Sequence, residues 1–398
     1  AMTDPRLSIE PMEIRVNTVV GEDLSEARGL GNEAYTSREF WQRERDSVLG
    51  NTWAAIGFAC DLQTPGQVVP VSFMELPLLM VRDHNGRARV FHNVCSHRGM
   101  QLVSEATETG LLIRCPYHRW GYDLNGQLKS TPNIGGMGVH EVQGFDCSQH
   151  GLREVRSEEY LGVVFVNLSG DAPPLATHLH TVTERWQALA GGDFAGQLTP
   201  DVSTSGSLEL TVNCNYKLAV ENYCEAYHLP FVHPGLNSYS PLDQHYNLVV
   251  GAGASGQGTH TYDLERGSGS ALPTFPGWDG ERLKTGEYLS LYPNLLLGLQ
   301  ADHFFAIILM PEAPDLTRER LQFFYAGEQA LSEQTQERRR GLHEAWSLVF
   351  SEDVSVVEGM QRGRGSPGFS GGVFSPVMDI PTHHFHQWFA QRYQAQVT

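Results

Sequence analysis

The stretches HNVCSHRG, residues 92–99, and CPYHRWGYDLNGQL, residues 115–128, decide the fold of the first half of the chain. The first spaces a cysteine and a histidine as C-x-H, and the second spaces another pair as C-x-x-H. Two thiolates and two imidazoles in two short loops can surround a metal centre, and a tetrahedral zinc ion accepts this ligand set. An iron–sulfur cluster with two cysteine and two histidine ligands fits the same spacing. The doubled motif predicts a metal centre, because ordinary buried cysteines and histidines have no reason to repeat it.

Short strand-like runs separated by glycine, proline and asparagine surround these two stretches, from residue 52 to residue 168. Examples are Gln67–Val71, Pro77–Val81, Arg89–Asn93 and Gly162–Leu168. Runs of this length with turn residues between them are typical of a small all-β domain. Further along, a strand meander is predicted from residue 288 to residue 325 and a helix over Ser332–Gln361, so the second half of the chain mixes both kinds of element.

Two other segments carry structural predictions. A helix is predicted to begin near Thr36, because Thr36 and Glu39 form a capping-box pattern, and Glu44 interrupts its apolar face. The segment from residue 250 to residue 270 is rich in glycine and serine and long for a connector. It is predicted to be a flexible loop over a site.

Composition and charge exclude some classes of function. The formal charge of −18 at pH 7 argues against a nucleic-acid-binding protein, since phosphate recognition needs a basic surface. No apolar run approaches the roughly 18–20 residues of a membrane helix, and the first residues show no signal-peptide pattern. Six cysteines are too few for a disulfide scaffold. The composition favours a cytoplasmic enzyme with no nucleic-acid or membrane partner.

A second constellation is ENYCEAYHLPFVHP, residues 221–234, in which His228 and His233 flank Pro230. In an unbroken helix this five-residue spacing would point the two imidazoles about 140° apart. We expect the proline to end or bend the helix, so that the imidazoles converge. Two imidazoles and one carboxylate form the facial triad typical of ferrous iron that activates dioxygen.

The third ligand of such a triad must come from a distant acidic residue, and FSEDVSVVEGMQRG, residues 350–363, offers Asp353. Asp353 shares a helical face with apolar residues, where a carboxylate is costly unless it is paired or bound to a metal. A buried salt bridge would explain this position equally well. Glu352 and Glu358 lie off the apolar stripe and are predicted to be solvated.

The first pair of motifs resembles the Rieske domain, in which two cysteines bind one iron of a 2Fe-2S cluster and two histidines bind the other. The match holds residue by residue at Cys95, His97, Cys115 and His118. The resemblance implies that these four side chains bind a Rieske cluster.

The second constellation resembles the catalytic domain of the α subunits of Rieske-type non-haem iron oxygenases, which are the terminal oxygenase components. The family pattern maps onto Asn222, Glu225, His228, His233 and Asp353. It implies mononuclear Fe(II) bound by His228, His233 and Asp353, with Asn222 and Glu225 as further site residues. Many members have aspartate at the position of residue 225. The glutamate in this chain resembles the residue found there in oxygenases of the carnitine monooxygenase group.

The resemblance also implies the fold. We expect an α+β protein with a small all-β Rieske domain and a larger catalytic domain, whose antiparallel sheet is flanked by helices as in helix-grip folds. The implied divisions are an N-terminal helical segment (residues 1–48), a 2Fe-2S domain (residues 49–170) and a mononuclear iron domain (residues 171–398).

Cofactors and partners follow from the same resemblance. Dioxygen is the expected co-substrate, and a cognate reductase with flavin and a 2Fe-2S centre, or a ferredoxin, is expected to deliver electrons from NAD(P)H. We expect no dinucleotide-binding fingerprint of the strand–turn–helix kind in this chain, so the nucleotide should bind that partner. The family forms homotrimers, in which Glu225 would link His118 of the partner subunit to His228 and carry electrons between subunits.

The expected reaction is hydroxylation or oxidative demethylation of a small molecule by a monooxygenase or dioxygenase. The run Tyr292–Gln300 resembles segments in oxygenases that act on glycine betaine, stachydrine or carnitine, so a quaternary ammonium compound is the expected substrate. Asp302 and aromatic side chains could hold the cation, and the expected cavity wall is the meander with Leu236, Tyr239 and the loop near Tyr246. Alternatives are ring hydroxylation of an aromatic acid, an electron carrier without oxygenase activity and a zinc-stabilised binding protein.

Overall fold

The computed structural model describes residues 23–191, 193–264 and 270–394. The chain forms two compact units. The β unit runs from Ala55 to Ala172, and the α+β unit joins the chain before Ala55 to the chain after Ala172. The α+β class is confirmed by their elements, while the domain boundaries at residues 48 and 170 stay a prediction. No helix in the described ranges is long and apolar enough to cross a membrane.

The β unit contains a seven-stranded sheet in the order β1-β10-β9-β4-β3-β2-β5 and a three-stranded sheet in the order β6-β7-β8. Its strands are β1 (Ala54–Phe58), β2 (Gln67–Phe73), β3 (Leu76–Arg82), β4 (Ala88–His92), β5 (Thr107–Glu108), β6 (Ile113–Arg114), β7 (Gly121–Tyr122), β8 (Leu128–Ser130), β9 (Glu154–Tyr160) and β10 (Val163–Asn167). Cys95 follows β4, and Cys115 directly follows β6. Each cysteine opens a tight loop, because its N–H donates to the carbonyl oxygen of Met100 or Trp120 at 2.7 and 2.8 Å.

The α+β unit is built on an eight-stranded antiparallel sheet in the order β11-β18-β17-β16-β15-β14-β13, with β12 pairing a separate part of β18. Its strands are β11 (Leu198–Pro200), β12 (Ser207–Val212), β13 (His245–Val249), β14 (Ala254–Thr259), β15 (Gly286–Leu291), β16 (Leu295–Gln300), β17 (Phe304–Ala313) and β18 (Leu316–Ala326). The strands β15 to β18 form the expected meander. Every residue of β14, β15 and β16 is buried, so the sheet is the core of this unit.

Helices cover this sheet and carry the residues of the second constellation. They are α1 (Glu33–Thr36), α2 (Arg38–Glu44), α3 (Leu175–Ala190), α4 (Phe194–Gln197), α5 (Tyr216–Cys224), α6 (Leu229–Val232), α7 (Pro234–Tyr239), α8 (Gln336–Arg364) and α9 (Ile380–Gln394). The Tyr223 hydroxyl of α5 donates to the carbonyl oxygen of Leu297 in β16 at 2.7 Å. The rings of Trp346 and Phe350 in α8 lie 4.9 and 5.6 Å from the ring of Phe305 in β17. These contacts hold α5 and α8 on the central strands.

The prediction of a flexible loop over residues 250–270 is wrong for its first part. Strand β14 lies there, fully buried between β13 and β15. Its glycines allow close strand packing, because a Cβ atom on Gly256 would lie 1.9 Å from the carbonyl oxygen of Tyr288. Residues 265–269 of that segment lie outside the described residues.

The predicted capping box at the N-terminal helix is also wrong. Helix α2 begins at Arg38, and its cap is Ser37, whose hydroxyl oxygen accepts the N–H of Phe40 at 3.1 Å. Glu39 pairs instead with the Arg43 guanidinium at 2.8 Å. The cap lies one residue after the predicted Thr36, because Ser37 has the extended backbone that a cap requires.

Glu44 is tolerated on the apolar face of α2 because its carboxylate has a buried partner. Its side chain and that of Lys217 are both fully buried, and the Lys217 ammonium donates to both Glu44 oxygens at 2.8 and 2.9 Å. The Tyr216 hydroxyl donates to the same carboxylate at 3.0 Å. This ion pair joins α2 to the start of α5.

Candidate metal centre and active-site cavity

The two histidines flank the short helix α6, and their imidazoles converge. Helix α5 ends at Cys224, and Glu225 is extended, with φ −118° and ψ 152°. His228 then precedes α6 and His233 follows it. The break was expected at Pro230, but Pro230 lies in the first turn of α6, where a proline is tolerated because that N–H has no helical partner. Helix α5 instead ends at Cys224, before both histidines, which lie at the two ends of α6.

His228, His233 and Asp353 meet in one place. The Nε2 atoms of the two histidines are 3.2 Å apart, and Asp353 Oδ1 lies 2.9 Å from His233 Nε2 and 3.4 Å from His228 Nε2. All three ligand atoms lie within 4.8 Å of one another. Two ligand atoms about 2.1 Å from one metal and at right angles would be roughly 3 Å apart, so the spacing fits one face of an octahedron.

The hydrogen bonds of the histidines show why a cation belongs there. His228 Nδ1 lies 2.8 Å from Glu225 Oε1, and His233 Nδ1 lies 3.1 Å from Glu352 Oε1. Carboxylates only accept, so each Nδ1 carries the hydrogen and each Nε2 of the neutral ring presents a lone pair. Asp353 Oδ1 is buried and makes no hydrogen bond among the described residues. Three acceptors therefore point at one another, which is stable only with positive charge between them.

The pKa shifts of His228 and Asp353 indicate the same attraction of this site for positive charge. Burial lowers the pKa of His228, but the Asp353 and Glu225 carboxylates outweigh it and raise that pKa to about 10. Burial would raise the pKa of Asp353, but the two imidazoles hold it below its ordinary value. A metal ion would take the place of the shared proton.

Glu352 is the residue of this site that the sequence pattern placed wrongly. It was predicted to be solvated, yet its carboxylate orients His233 and its side chain is only 24% exposed. Glu358 also has a partner, since it accepts the N–H of Asn213 at 2.8 Å. A metal-bound histidine needs an acceptor for its other ring nitrogen, and this rule is the signal that could have found Glu352.

A small cavity of about 50 Å³ opens on the triad. Aromatic and aliphatic side chains make most of its wall, and polar side chains make the rest. The lining residues are Asn222, Tyr223, His228, Leu229, His233, Leu236, Ser240, His245, Gln257, Tyr288, Trp346, Val349, Phe350 and Asp353. No lysine or arginine is among these described lining residues.

The structure corrects two expectations about the cavity wall. Tyr239 and Asp302 do not belong to the described lining, whereas Leu236 does, and so does His245 beside Tyr246. Asp302 Oδ1 lies 2.8 Å from His303 Nδ1, and His303 Nε2 accepts the Trp346 indole N–H at 3.1 Å. Asp302 therefore acts behind the wall, where its hydrogen bond to His303 helps to hold Trp346.

A second, larger cavity of about 210 Å³ lies on the other side of His228. Glu225, Glu221 and Asp379 contribute to its wall, and so do His228 and Asn222, which also line the first cavity. His228 and Asn222 thus separate a cavity suited to a substrate from one reached by Glu225.

The four residues of the first pair of motifs lie together in the β unit. The buried thiols of Cys95 and Cys115 interact, and the rings of His97 and His118 lie 4.7 Å apart. Burial raises the pKa of the Cys115 thiol. The Tyr122 hydroxyl lies 3.2 Å from Cys95 Sγ. A pair of sulfurs beside a pair of exposed imidazoles fits a 2Fe-2S cluster with one iron on each pair.

The comparisons with known families agree with both sites. Residues 52–152 match the family described as "Rieske [2Fe-2S] domain", and residues 199–395 match "Ring hydroxylating alpha subunit (catalytic domain)". The chain belongs to the Rieske-type non-haem iron oxygenases. The interpretations as a zinc-stabilised binding protein and as a plain electron carrier are therefore set aside.

Several relatives of this oxygenase are known. It is 28% identical over 359 residues to choline monooxygenase of Arabidopsis thaliana, covering 88% of this chain and 80% of that protein. It is 25% identical over 373 residues to the carnitine monooxygenase oxygenase subunit of Escherichia coli strain K12, covering 90% and 91%. Its fold matches the crystal structure of the quaternary ammonium Rieske monooxygenase CntA with a TM-score of 0.77, at 21% identity, covering 95% and 98% of the two chains.

Proposed function

We propose that this oxygenase hydroxylates or oxidatively demethylates a small quaternary ammonium compound. The observation that carries the proposal is the cavity on the triad, which has Tyr223, Tyr288, Trp346 and Phe350 in its wall and no lysine or arginine among its described residues. A quaternary ammonium group is attracted to aromatic faces, by up to about 2 kcal/mol per contact when water is excluded.

The charge around the triad favours the same kind of substrate. Glu225, Glu352 and Asp353 bring three carboxylates to the site, and these outnumber the two positive charges of a ferrous ion. A cation is therefore attracted to the cavity and an anion is repelled. Of the basic residues that could have served an aromatic acid, Arg282 is exposed and Lys284 pairs with Asp263 at 3.1 Å. Ring hydroxylation of an aromatic acid is thus the weaker proposal.

His228, His233 and Asp353 would hold ferrous iron, which when bound supplies the reduction of dioxygen. One oxygen atom enters the substrate and the other leaves as water, at the cost of two electrons from NAD(P)H and two protons. The aromatic wall excludes water and holds the cation, so that a C–H bond of the substrate faces the open side of the triad.

The substrate proposal is tested with purified enzyme, a reductase and a matched panel. Choline, carnitine, glycine betaine and stachydrine supply the cation, 3,3-dimethylbutan-1-ol replaces the cationic nitrogen of choline by carbon, and benzoate represents aromatic acids. We expect at least one ammonium compound to give product, identified by mass spectrometry, and to raise the melting temperature more than any neutral or anionic compound does. Oxidation of benzoate with no ammonium compound bound would contradict the proposal.

We also propose that the enzyme works as a ring of identical subunits, in the cytoplasm, with a separate reductase as electron donor. Glu225 supports this arrangement, because its carboxylate binds His228 Nδ1 and faces the larger cavity rather than the substrate. A cluster histidine of the partner subunit that reached this cavity could pass an electron through Glu225 to His228.

Mixed assemblies test this path. A Cys95→Ser chain should lack the cluster, an Asp353→Ala chain should lack the iron, and neither should turn over alone. Co-expressed, the two should regain activity, because the cluster of one serves the iron of the other. Adding Glu225→Gln to the Cys95→Ser chain should remove that activity, while adding it to the Asp353→Ala chain is the matched control and should not. Equal effects on both chains would refute the bridge.

A further inference from the structure

Three polar side chains of the substrate cavity form a hydrogen-bonded chain that ends on the backbone of Glu225. The Ser240 hydroxyl lies 3.0 Å from His245 Nε2, and His245 Nδ1 lies 2.7 Å from Gln257 Oε1. The Gln257 amide then donates to the carbonyl oxygen of Glu225 at 3.2 Å. Ser240, His245 and Gln257 all line the cavity that opens on the triad.

The directions of the two hydrogen bonds made by Gln257 are fixed. The Glu225 carbonyl only accepts, so the NH₂ group of Gln257 must face it and Oε1 must face His245. His245 Nδ1 therefore carries a hydrogen, while its Nε2 lies 3.0 Å from the Ser240 hydroxyl and 3.2 Å from the Ser240 carbonyl oxygen. Reversal of the Gln257 amide would break the bonds at both of its ends. The link from His245 through Gln257 to Glu225 is thus a single arrangement rather than several alternatives of similar energy.

The end point of the chain is the place where α5 stops. Glu225 has an extended backbone, so its carbonyl lies outside the helical hydrogen-bonding pattern and needs another donor. The carboxylate of the same residue accepts the backbone N–H of His228 at 3.1 Å and binds its ring nitrogen. Gln257 therefore touches both the substrate cavity and the residue that is proposed to pass electrons to His228.

We propose that Gln257, oriented by His245, is a positioning residue that couples occupation of the substrate cavity to the electron-carrying position of Glu225. This inference rests on the proposed bridging role of Glu225. A substrate in the cavity packs against Gln257 and His245 and fixes the amide that holds the Glu225 carbonyl. With that hydrogen bond lost, Glu225 is held only through its side chain, and electron delivery no longer depends on substrate.

The test is the coupling of electron use to product in Gln257→Leu, which keeps the volume of the side chain and loses both hydrogen bonds. Electrons that miss the substrate reduce dioxygen to hydrogen peroxide, with two electrons and two protons per molecule. We expect product per NADH to fall about five- to tenfold, the effect of roughly one lost hydrogen bond. Peroxide should account for the difference, and iron content and cluster absorbance should stay at parent levels.

Two further variants make the result specific. Gln257→Glu keeps the acceptor for His245 but loses the donor to Glu225, so it should uncouple like Gln257→Leu. Thr261→Val is the control, because the Thr261 hydroxyl donates to Gln244 Oε1 at 3.3 Å, outside the chain from Ser240 to Glu225. Its product yield per NADH should match the parent.

The inference would be overturned if Gln257→Leu formed as much product per NADH as the parent. It would also be overturned if turnover fell only in proportion to lost iron. Either result would leave the bridge itself standing if Glu225→Gln still abolishes turnover. Normal turnover in Glu225→Gln would instead refute the bridge from which the inference starts.

Discussion

Replacing Lys217 by methionine should destabilise the α+β unit strongly. Lys217 and Glu44 are both fully buried, so the variant leaves a carboxylate with Tyr216 as its only hydrogen-bond donor among those described. Breaking a buried ion pair by removing one partner costs about 3–5 kcal/mol. The ammonium also lies 4.9 to 5.7 Å from four aromatic ring centroids, and losing these contacts adds about 1 kcal/mol.

The assay is thermal and urea unfolding of the holoenzyme, followed by near-ultraviolet circular dichroism. For a unit of this size, 1 kcal/mol shifts the melting temperature by about 2–4 °C, so a loss of about 4–6 kcal/mol lowers it by roughly 10–20 °C. The double variant Glu44→Leu with Lys217→Met removes both charges and should recover most of this loss, because apolar residues of similar volume replace buried ion pairs well. A melting temperature of Lys217→Met within 2 °C of the parent would refute the reasoning.

The pH dependence of the same variant provides an independent check. Burial raises the pKa of Glu44 even beside Lys217, and without the ammonium the pKa rises further. A carboxyl that keeps its proton in the folded state but has lost it in the unfolded state makes stability fall as pH rises above its ordinary value of 4.5. The deficit of Lys217→Met relative to the parent should therefore be smaller at pH 5 than at pH 8. A deficit that stays constant would mean that Glu44 is not the buried charge responsible.

Three other expectations concern the triad and acid stability. Asp353→Ala should lose the mononuclear iron but keep the visible absorption of the cluster, measured by iron analysis and spectroscopy; retention of all three irons would contradict the ligand assignment. Glu352→Gln should keep the fold and an acceptor for His233 Nδ1 but lose the negative charge. Iron affinity should then fall about 10–100-fold, the usual effect of changing the partner of a ligand histidine, as measured by chelator competition. His178, whose ring lies 3.2 Å from the Tyr292 carbonyl oxygen, has a pKa lowered to about 4, mainly by burial. As pH falls, the unfolded state therefore binds a proton at this histidine before the folded state does. The free energy of unfolding should fall between pH 6.5 and pH 4, by at most about 3 kcal/mol. Urea titrations should show a smaller loss in His178→Gln.

The parts of the site that the sequence predicts are those whose residue types are chemically constrained. Two imidazoles at a five-residue spacing indicate a metal site, and a carboxylate on an apolar helical face indicates either a metal ligand or a buried ion pair. The structure brings His228, His233 and Asp353 together. The position of the helix break was not predictable from the proline, because Pro230 lies in the first turn of α6 whereas α5 ends at Cys224. The pattern therefore located the ligands but not the separate short helix that the two histidines flank.

The errors share one cause, which is that a pattern along the chain does not show a partner far away in sequence. Along the sequence, Glu44 is an acidic residue on an apolar face. In the fold it pairs with Lys217, which lies 173 residues later. The pattern of α8 alone places Glu352 on a solvated face, whereas in the fold His233 lies against its carboxylate. The glycines of β14 indicated flexibility, but the close approach of Gly256 to β15 explains them. Tertiary packing decided each of these cases.

Glu225 and Glu352 offer an internal comparison that separates metal binding from electron delivery. Each carboxylate accepts from the Nδ1 of one ligand histidine, at 2.8 and 3.1 Å, so each fixes the same tautomer and supports the same iron. Only Glu225 belongs to the described wall of the larger cavity. If the carboxylates served the iron alone, neutralising either should reduce turnover in proportion to iron occupancy. A loss of turnover in Glu225→Gln at full iron occupancy, with Glu352→Gln active at matched occupancy, would assign the difference to where each carboxylate faces and not to its chemistry.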